Sequence, residues 1–213
     1  MIKKNNWRTA WQQGSYRIKC LTGLAVLLAT LVYFPFFFEI IQSRSGAVLS
    51  DILLDRLAPH NMSLPVFMII WASTLLLTFR ALTDPDLFLL VIWGYNLLTV
   101  ARLICIAAIS LTPPSGLIPL ADPLTNLFYG SRYITHDLFF SGHTASVCLI
   151  FFCLKGRIDK YFVGIATISI GILLLVQHVH YTIDVLAAPV FAYGAWFCAR
   201  FFTEKERRLL TNG

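Results

Sequence analysis

Long apolar runs separated by short polar breaks set the organisation of this chain. Apolar runs cover residues 18–41, 64–82 and 87–110, and a shorter one covers 141–155. Two nearly fused runs follow the link at 155–160, turning near residues 180–184 and ending near 202. A helix of about 20 apolar residues crosses a hydrocarbon core of about 30 Å. The pattern predicts an all-α fold, a polytopic membrane bundle of six transmembrane helices. The breaks are a polar loop holding Asp51, Asp55, Arg56 and His60, the turn Thr83-Asp84-Pro85-Asp86, the basic link from Lys155 to Lys160, and the longest loop, residues 111–140, rich in Pro, Gly, Ser and Asp. Ahead of the first run, Trp7, Trp11 and Tyr16 alternate with basic residues, which suits a segment lying in the membrane interface. Three regions follow: an interfacial segment at 1–17, a six-helix transmembrane domain at 18–203 and a tail at 204–213. The first run ends in Pro35-Phe36-Phe37-Phe38-Glu39 without a small-residue cleavage site and reads as a retained helix.

Composition sharpens this picture in two ways. Hydrophobic residues make up 57% of the 213 and charged residues 13%, about half the charge of a soluble domain, so no separate soluble domain is expected. The net charge of +6 could point to nucleic acid, but its distribution speaks for topology instead. Lys3, Lys4, Arg8, Arg17, Lys19, Arg80, Lys155, Arg157, Lys160, Arg200, Lys205, Arg207 and Arg208 fall on one side of the expected spans. Arg44, Arg56 and Arg132 fall on the other, and Arg102 lies within a span. Thirteen against three is a positive-inside signal that places both termini in the cytoplasm. The five cysteines sit in apolar runs without CxxC spacing and read as small buried hydrophobes, with no disulfide, metal or cofactor implied.

With that topology, Ser141-Gly142-His143-Thr144 and His178-Val179-His180-Tyr181-Thr182-Ile183-Asp184 lie at the outer ends of their spans. His143 and His180 are then at one depth, with the loops carrying Asp51 and Asp137 opening beside them. Asp184, four residues after His180, is placed to hydrogen-bond one ring nitrogen and leave the other lone pair for attack or for a proton. Ser141 suits a helix cap, and a helix amino terminus binds phosphate through free N–H groups. A second histidine there suits proton donation to a leaving group, so the set fits phosphoryl or phosphodiester transfer without metal. Each piece also has a structural alternative. The His180–Asp184 pair serves equally as an interfacial brace, and Arg102 either snorkels to the interface or pairs with a phosphate or carboxylate. His178 and His136 suit supporting roles, His60 a solvated loop, and Asp51, Asp55 and Asp122 ordinary loop carboxylates.

Asp137-Leu-Phe-Phe-Ser141-Gly-His143-Thr144 and His178-Val-His180-Tyr-Thr-Ile-Asp184-Val resemble the two hallmark motifs of the sphingomyelin synthases, a branch of the type 2 phosphatidic acid phosphatase superfamily. Leu49-Ser-Asp51, and Arg102 followed by Leu111-Thr-Pro113-Pro114, resemble that family's two earlier motifs, so the likeness spans roughly residues 49–188. The resemblance implies six spans, cytosolic termini and a catalytic triad of His143, His180 and Asp184 on the exoplasmic, periplasmic or lumenal face. It implies transfer of phosphocholine, phosphoethanolamine or a similar headgroup from a glycerophospholipid to ceramide or a related lipid alcohol, releasing diacylglycerol. In that scheme Arg102 holds phosphate oxygens, Asp137 or Asp51 supports a histidine or the headgroup, and Ser141, Tyr181, His178 and His136 support the site. The implied setting is a bacterial inner membrane, or else a Golgi or plasma membrane, with lipids as partners and a homo-oligomer compatible with the sequence. The chain lacks the Lys-x6-Arg-Pro pattern of the lipid phosphatase branch, and no arginine precedes His180 in its span. A dianionic phosphomonoester wants several cations where a monoanionic diester wants fewer. The alternative is a hydrolase of the same superfamily, a lipid phosphatase or phospholipase C-like enzyme in which water replaces the lipid acceptor.

Overall fold

A computed structural model describes residues 7–121 and 135–212. Lys3, Lys4, Asp122 and Arg132 lie outside the described residues. The described elements are α1 (Trp7–Gln12), α2 (Gly14–Gln42), α3 (Ser63–Thr83), α4 (Pro85–Ala108), α5 (Gly142–Cys153), α6 (Arg157–Val176) and α7 (Thr182–Asn212), with a 3-10 turn at Leu54–Arg56. The only β pairing among the described residues is an isolated bridge between Ala47 and Leu111.

Five helices, α2, α3, α4, α6 and the stretch Thr182–Glu206 of α7, are long and apolar enough to cross a membrane. Their outward faces are hydrophobic: Leu28, Val32 and Phe36 of α2 are each about two-thirds exposed. Only lipid tolerates that much bare apolar surface, so this is an integral membrane protein. The sixth expected span is the 12-residue α5, about 18 Å long and shorter than the hydrocarbon core. It survives because it is central, with Ala145, Val147, Cys148, Leu149 and Ile150 all buried among its neighbours. The expected tail is helical, since α7 continues through residues 204–212.

Lipid tails are as apolar as leucine, so packing rather than hydrophobic transfer holds such helices together. Ala188, Ala192, Ala195 and Ala199, spaced along one stripe of α7, are all buried and let α4 and α5 approach it closely. Gly23 does the same for α2, where a Cβ would stand 2.6 Å from Ile92 of α4. Asn96 of α4, buried within a span, donates to the Gly23 carbonyl at 2.8 Å. The amino-terminal segment packs on the α3–α4 turn, with the Trp7 indole donating to Leu82 (2.7 Å) and the Tyr16 hydroxyl to Pro85 (2.8 Å).

At the end of the bundle that carries the histidines, the loop between α2 and α3 is laced to the segment after α4. The Ala47 amide donates to Ser110 at 3.0 Å, and Thr112 returns a bond to Ala47 at 2.9 Å. Gly46 permits that approach, because a Cβ there would lie 2.4 Å from the Leu111 carbonyl carbon. Gln177, after α6, binds both neighbours: its amide donates to the Ser63 hydroxyl (2.9 Å) and its oxygen accepts from the Met62 N–H (3.0 Å).

Candidate active site

Two helix starts build the site. Ser141 caps α5, its hydroxyl accepting from the Thr144 N–H at 3.5 Å and standing 3.1 Å from the Thr144 hydroxyl. The Ser141 N–H itself donates to the Asp184 carbonyl at 3.1 Å. That bond ties the start of α5 to the first turn of α7, and so brings together the two motifs, 37 residues apart in sequence when counted from His143 to His180.

In the second motif, α7 begins at Thr182, so His180 lies in the turn just before the helix and not on it. The expected His180–Asp184 contact nevertheless forms, with Nδ1 3.4 Å from the Asp184 Oδ2. The same oxygen accepts from the Tyr181 N–H at 3.0 Å, the reach of a third-position carboxylate back to the capping residue. The helix dipole favours negative charge there. His180 is 2% exposed and Asp184 is fully buried, and its Oδ1 accepts no hydrogen bond from the described residues. A ring whose Nδ1 faces a carboxylate keeps its Nε2 lone pair for chemistry.

Arg102 and Asp51 both bind the protein itself, Arg102 taking the carboxylate pairing that was one of its expected alternatives. Arg102 does not hold itself ready for phosphate: it donates to the Asp137 carboxylate and carbonyl, each at 2.8 Å, and to the Phe140 carbonyl. Its guanidinium braces the four residues that lead into α5, giving the loop's inward carbonyls a charged donor. Gly142 makes room for this, since a Cβ there would come 2.6 Å from the guanidinium carbon. Asp137 is thus engaged by Arg102. Asp51 reaches to the start of α7, accepting from the Thr182 N–H (2.6 Å) and hydroxyl (2.9 Å) as well as from Leu53 (3.1 Å) and Leu54 (3.3 Å). Burial pushes its carboxyl up, but these donors outweigh burial and hold it below the usual carboxylate range. It is a helix cap supplied from another loop, and no spacing rule within the sequence announces that.

The remaining candidates are supports. His178, at φ 57°, places Nδ1 2.8 Å from the Ser115 carbonyl and Nε2 3.1 Å from the Leu57 carbonyl, pinning two loops. The Tyr181 hydroxyl donates to Thr112 at 2.9 Å and accepts from the Leu49 N–H at 3.3 Å. His136 stands 3.4 Å from the Thr135 hydroxyl. His60 is exposed, 2.8 Å from the Ala58 carbonyl.

His143 is placed differently from His180. It packs edge-on against Phe67, ring centres 6.1 Å apart, and lines a cavity of about 290 Å³ together with Arg102, Asp137 and Gly142. His180 and Asp184 are not in that lining. The cavity continues inward past Tyr95, Thr99 and Ser146, residues that the sequence reading passed over as ordinary span positions. Thr99 and Tyr95 lie three and seven residues before Arg102 and Ser146 lies four after Gly142, so each shares a helix face with a candidate residue. Among the described residues, no group of three or more His, Cys, Asp or Glu is placed to hold a metal ion.

Residues 136–201, less than half of the chain, match the family model described as PAP2 superfamily C-terminal. That range takes in both histidine motifs, and the helices that carry them, with the sole exception of the end of α7. No curated protein matches the chain. The match supports the type 2 phosphatidic acid phosphatase superfamily, whose members are typically phosphoesterases acting on lipid phosphates, and it carries no distinction between the superfamily's branches.

Proposed function

We propose that this protein is a lipid phosphotransferase that moves a phospho-headgroup from a glycerophospholipid to a ceramide-type lipid alcohol and releases diacylglycerol, on the non-cytoplasmic face of the membrane. The observation that carries the reading is the enclosed His180–Asp184 pair, at 3.4 Å, bonded through Asp184 to the cap of the helix that presents His143. In the first step the His180 Nε2 attacks phosphorus and the bond from phosphorus to the glyceryl oxygen breaks. His143 gives that oxygen a proton, and diacylglycerol leaves. In the second step the acceptor's hydroxyl oxygen attacks the phosphohistidine, its proton passes to His143, and the bond from phosphorus to nitrogen breaks. Asp184 holds His180 in one tautomer and offsets the positive charge on the ring. With Arg102 occupied by Asp137 and Phe140, the site offers few uncommitted cations, which suits a monoanionic diester better than a dianionic monoester.

The test uses purified protein in mixed micelles, a panel of phospholipids with and without ceramide, and mass spectrometry of the products. Diacylglycerol and a phosphoceramide formed together, and absent with His180→Ala, is the expected result. Diacylglycerol and free phospho-headgroup formed equally without ceramide would make the protein a hydrolase and overturn the reading.

A further inference from the structure

A second cluster of aromatic and charged side chains lies at the end of the bundle away from the histidines. There α6 and α7 both pack on α5, and more closely on it than on each other, so α5 floors a groove between them. Phe152 is nine residues, about 14 Å, along α5 from His143. Its ring centre lies 5.4 Å from that of Phe151, and 5.5 and 5.9 Å from those of Tyr193 and Trp196 on α7. On the other wall Gly164 of α6 leaves room for Phe151, since a Cβ there would lie 3.4 Å from its ring. Tyr193 is half exposed, so the linked rings open to the lipid.

Two cations stand over this cluster. The Lys160 Nζ is 5.4 Å from the Phe151 ring centre, and the Arg200 guanidinium is 5.4 Å from that of Trp196. Arg200 lies 18 residues, about 27 Å, along α7 from its start, near the far limit of a hydrocarbon core of about 30 Å. Neither side chain has an ion pair or a hydrogen bond among the described residues. The acids at that end, Asp84, Asp86, Asp159, Glu204 and Glu206, are each within 3.1 Å of another basic side chain. Lys160 and Arg200 are therefore surplus positive charge. They lie beside rings, whereas a side chain that only snorkels extends to water.

We propose that this groove binds an anionic phospholipid of the leaflet on that side, its headgroup drawn by Lys160 and Arg200 and its acyl chains laid over Phe151, Phe152 and Tyr193. Charge decides the class of lipid. A choline headgroup would bring a quaternary ammonium to Phe151 and Trp196, whose faces already hold cations that repel it. A glycerol headgroup brings the phosphate charge alone. The groove and the cavity beside His143 share no residue, so this site does not depend on the reaction that His180 performs.

The experiment is photolabelling of the full-length protein in micelles with a phosphatidylglycerol that bears a diazirine on its acyl chain, mapped by peptide mass spectrometry. The expected label lies on residues 151–160 or 193–200. Unlabelled phosphatidylglycerol should compete there about 25-fold better than phosphatidylcholine, about fivefold for each cation near an anionic headgroup. Lys160→Gln combined with Arg200→Gln is expected to erase that preference, and Lys160→Arg combined with Arg200→Lys to retain it. Arg17→Gln removes an exposed cation from the same end, two residues from Lys19 and so on another face of α2, and should change the preference less than about twofold. Equal competition by the two lipids, or a preference that survives the double glutamine variant, overturns the proposal. An equal loss in Arg17→Gln also overturns it, because the attraction would then be diffuse. Label confined to α2 and α4 peptides does the same, by placing the lipid only beside His143.

Discussion

The two ends of the bundle treat their charged residues in opposite ways. At the end away from the histidines, charges neutralise one another: Arg80 with Asp159 through two bonds at 2.8 and 2.9 Å, Lys155 with Asp84 and Asp86 at 2.8 and 3.1 Å, and Lys19 with Glu206 at 2.8 Å. At the histidine end Arg102 also pairs with the Asp137 carboxylate at 2.8 Å, but charged and polar groups there mostly bind backbone. Asp51 holds the start of α7, Arg102 holds two carbonyls before α5, and His178 bridges two further carbonyls. Ion pairs between side chains fasten helices that already exist. Side chains bound to backbone fix the course of irregular segments, which cannot satisfy their own polar groups near a bilayer. One end is fastened, and the other is shaped around a site.

The sharpest break of this contrast is Asp184→Asn. The neutral amide retains the shape but presents either donor or acceptor to His180, and it no longer offsets an imidazolium. Buried orienting carboxylates of this type lose about 10³- to 10⁴-fold in turnover on the same change. We expect that loss with the folded protein intact by its melting temperature in detergent. A loss below tenfold would make the pair a brace. Arg102→Met comes next. It leaves Asp137 and the Phe140 carbonyl without their donor, so the lead into α5 and with it His143 shift. We expect turnover to fall about 100-fold and stability by about 3 kcal/mol, in line with breaking a largely buried charge pair. Stability lost without activity would show that the brace does not position His143.

Much of this arrangement was legible in the sequence. Apolar runs placed the helices because a span must be long and continuous, and α3 and α4 begin and end within two residues of the expected limits. The His180–Asp184 contact was legible because the two residues are neighbours by local geometry, whichever side of the helix start His180 occupies. The particular partners of Asp51 and Arg102 were not legible for a common reason: Thr182 and the Asp137–Phe140 segment lie 131 and 35 or more residues away. Periodicity encodes which face is buried and not which loop carbonyl awaits a donor. Thr99 was invisible on the same grounds, one hydroxyl among many in a hydrophobic span until the cavity gave it a direction.

Asp51 offers a smaller effect with a pH signature. Its carboxyl is held below the usual range in the folded protein, so the anion's contribution is complete above the unfolded value of about 4 and is lost as pH falls through the lower folded value. Asp51→Asn is expected to cost about 1 kcal/mol at neutral pH, the scale of a lost helix cap. It should also flatten the decline of stability below pH 4, read by thermal melts across pH. An unaltered acid limb would show that the Thr182 bonds do not favour the charged form.

The smallest expected effect tests the other end. Arg80 and Asp159 make two well-formed bonds, yet the arginine side chain is 56% exposed and that of the aspartate 12%. Water and salt screen such a pair, so its coupling in a double-mutant cycle of Arg80→Gln and Asp159→Asn should stay below about 1 kcal/mol. Turnover should be unchanged in Arg80→Gln, because nothing links this pair to the cavity or to the start of either motif helix. A coupling near 3 kcal/mol would mean the pair behaves as a buried one. A fall in turnover would carry further, since it would require the spacing of α3 and α6 at this end to set the geometry around His143 at the other, and the division of labour between the two ends would not hold.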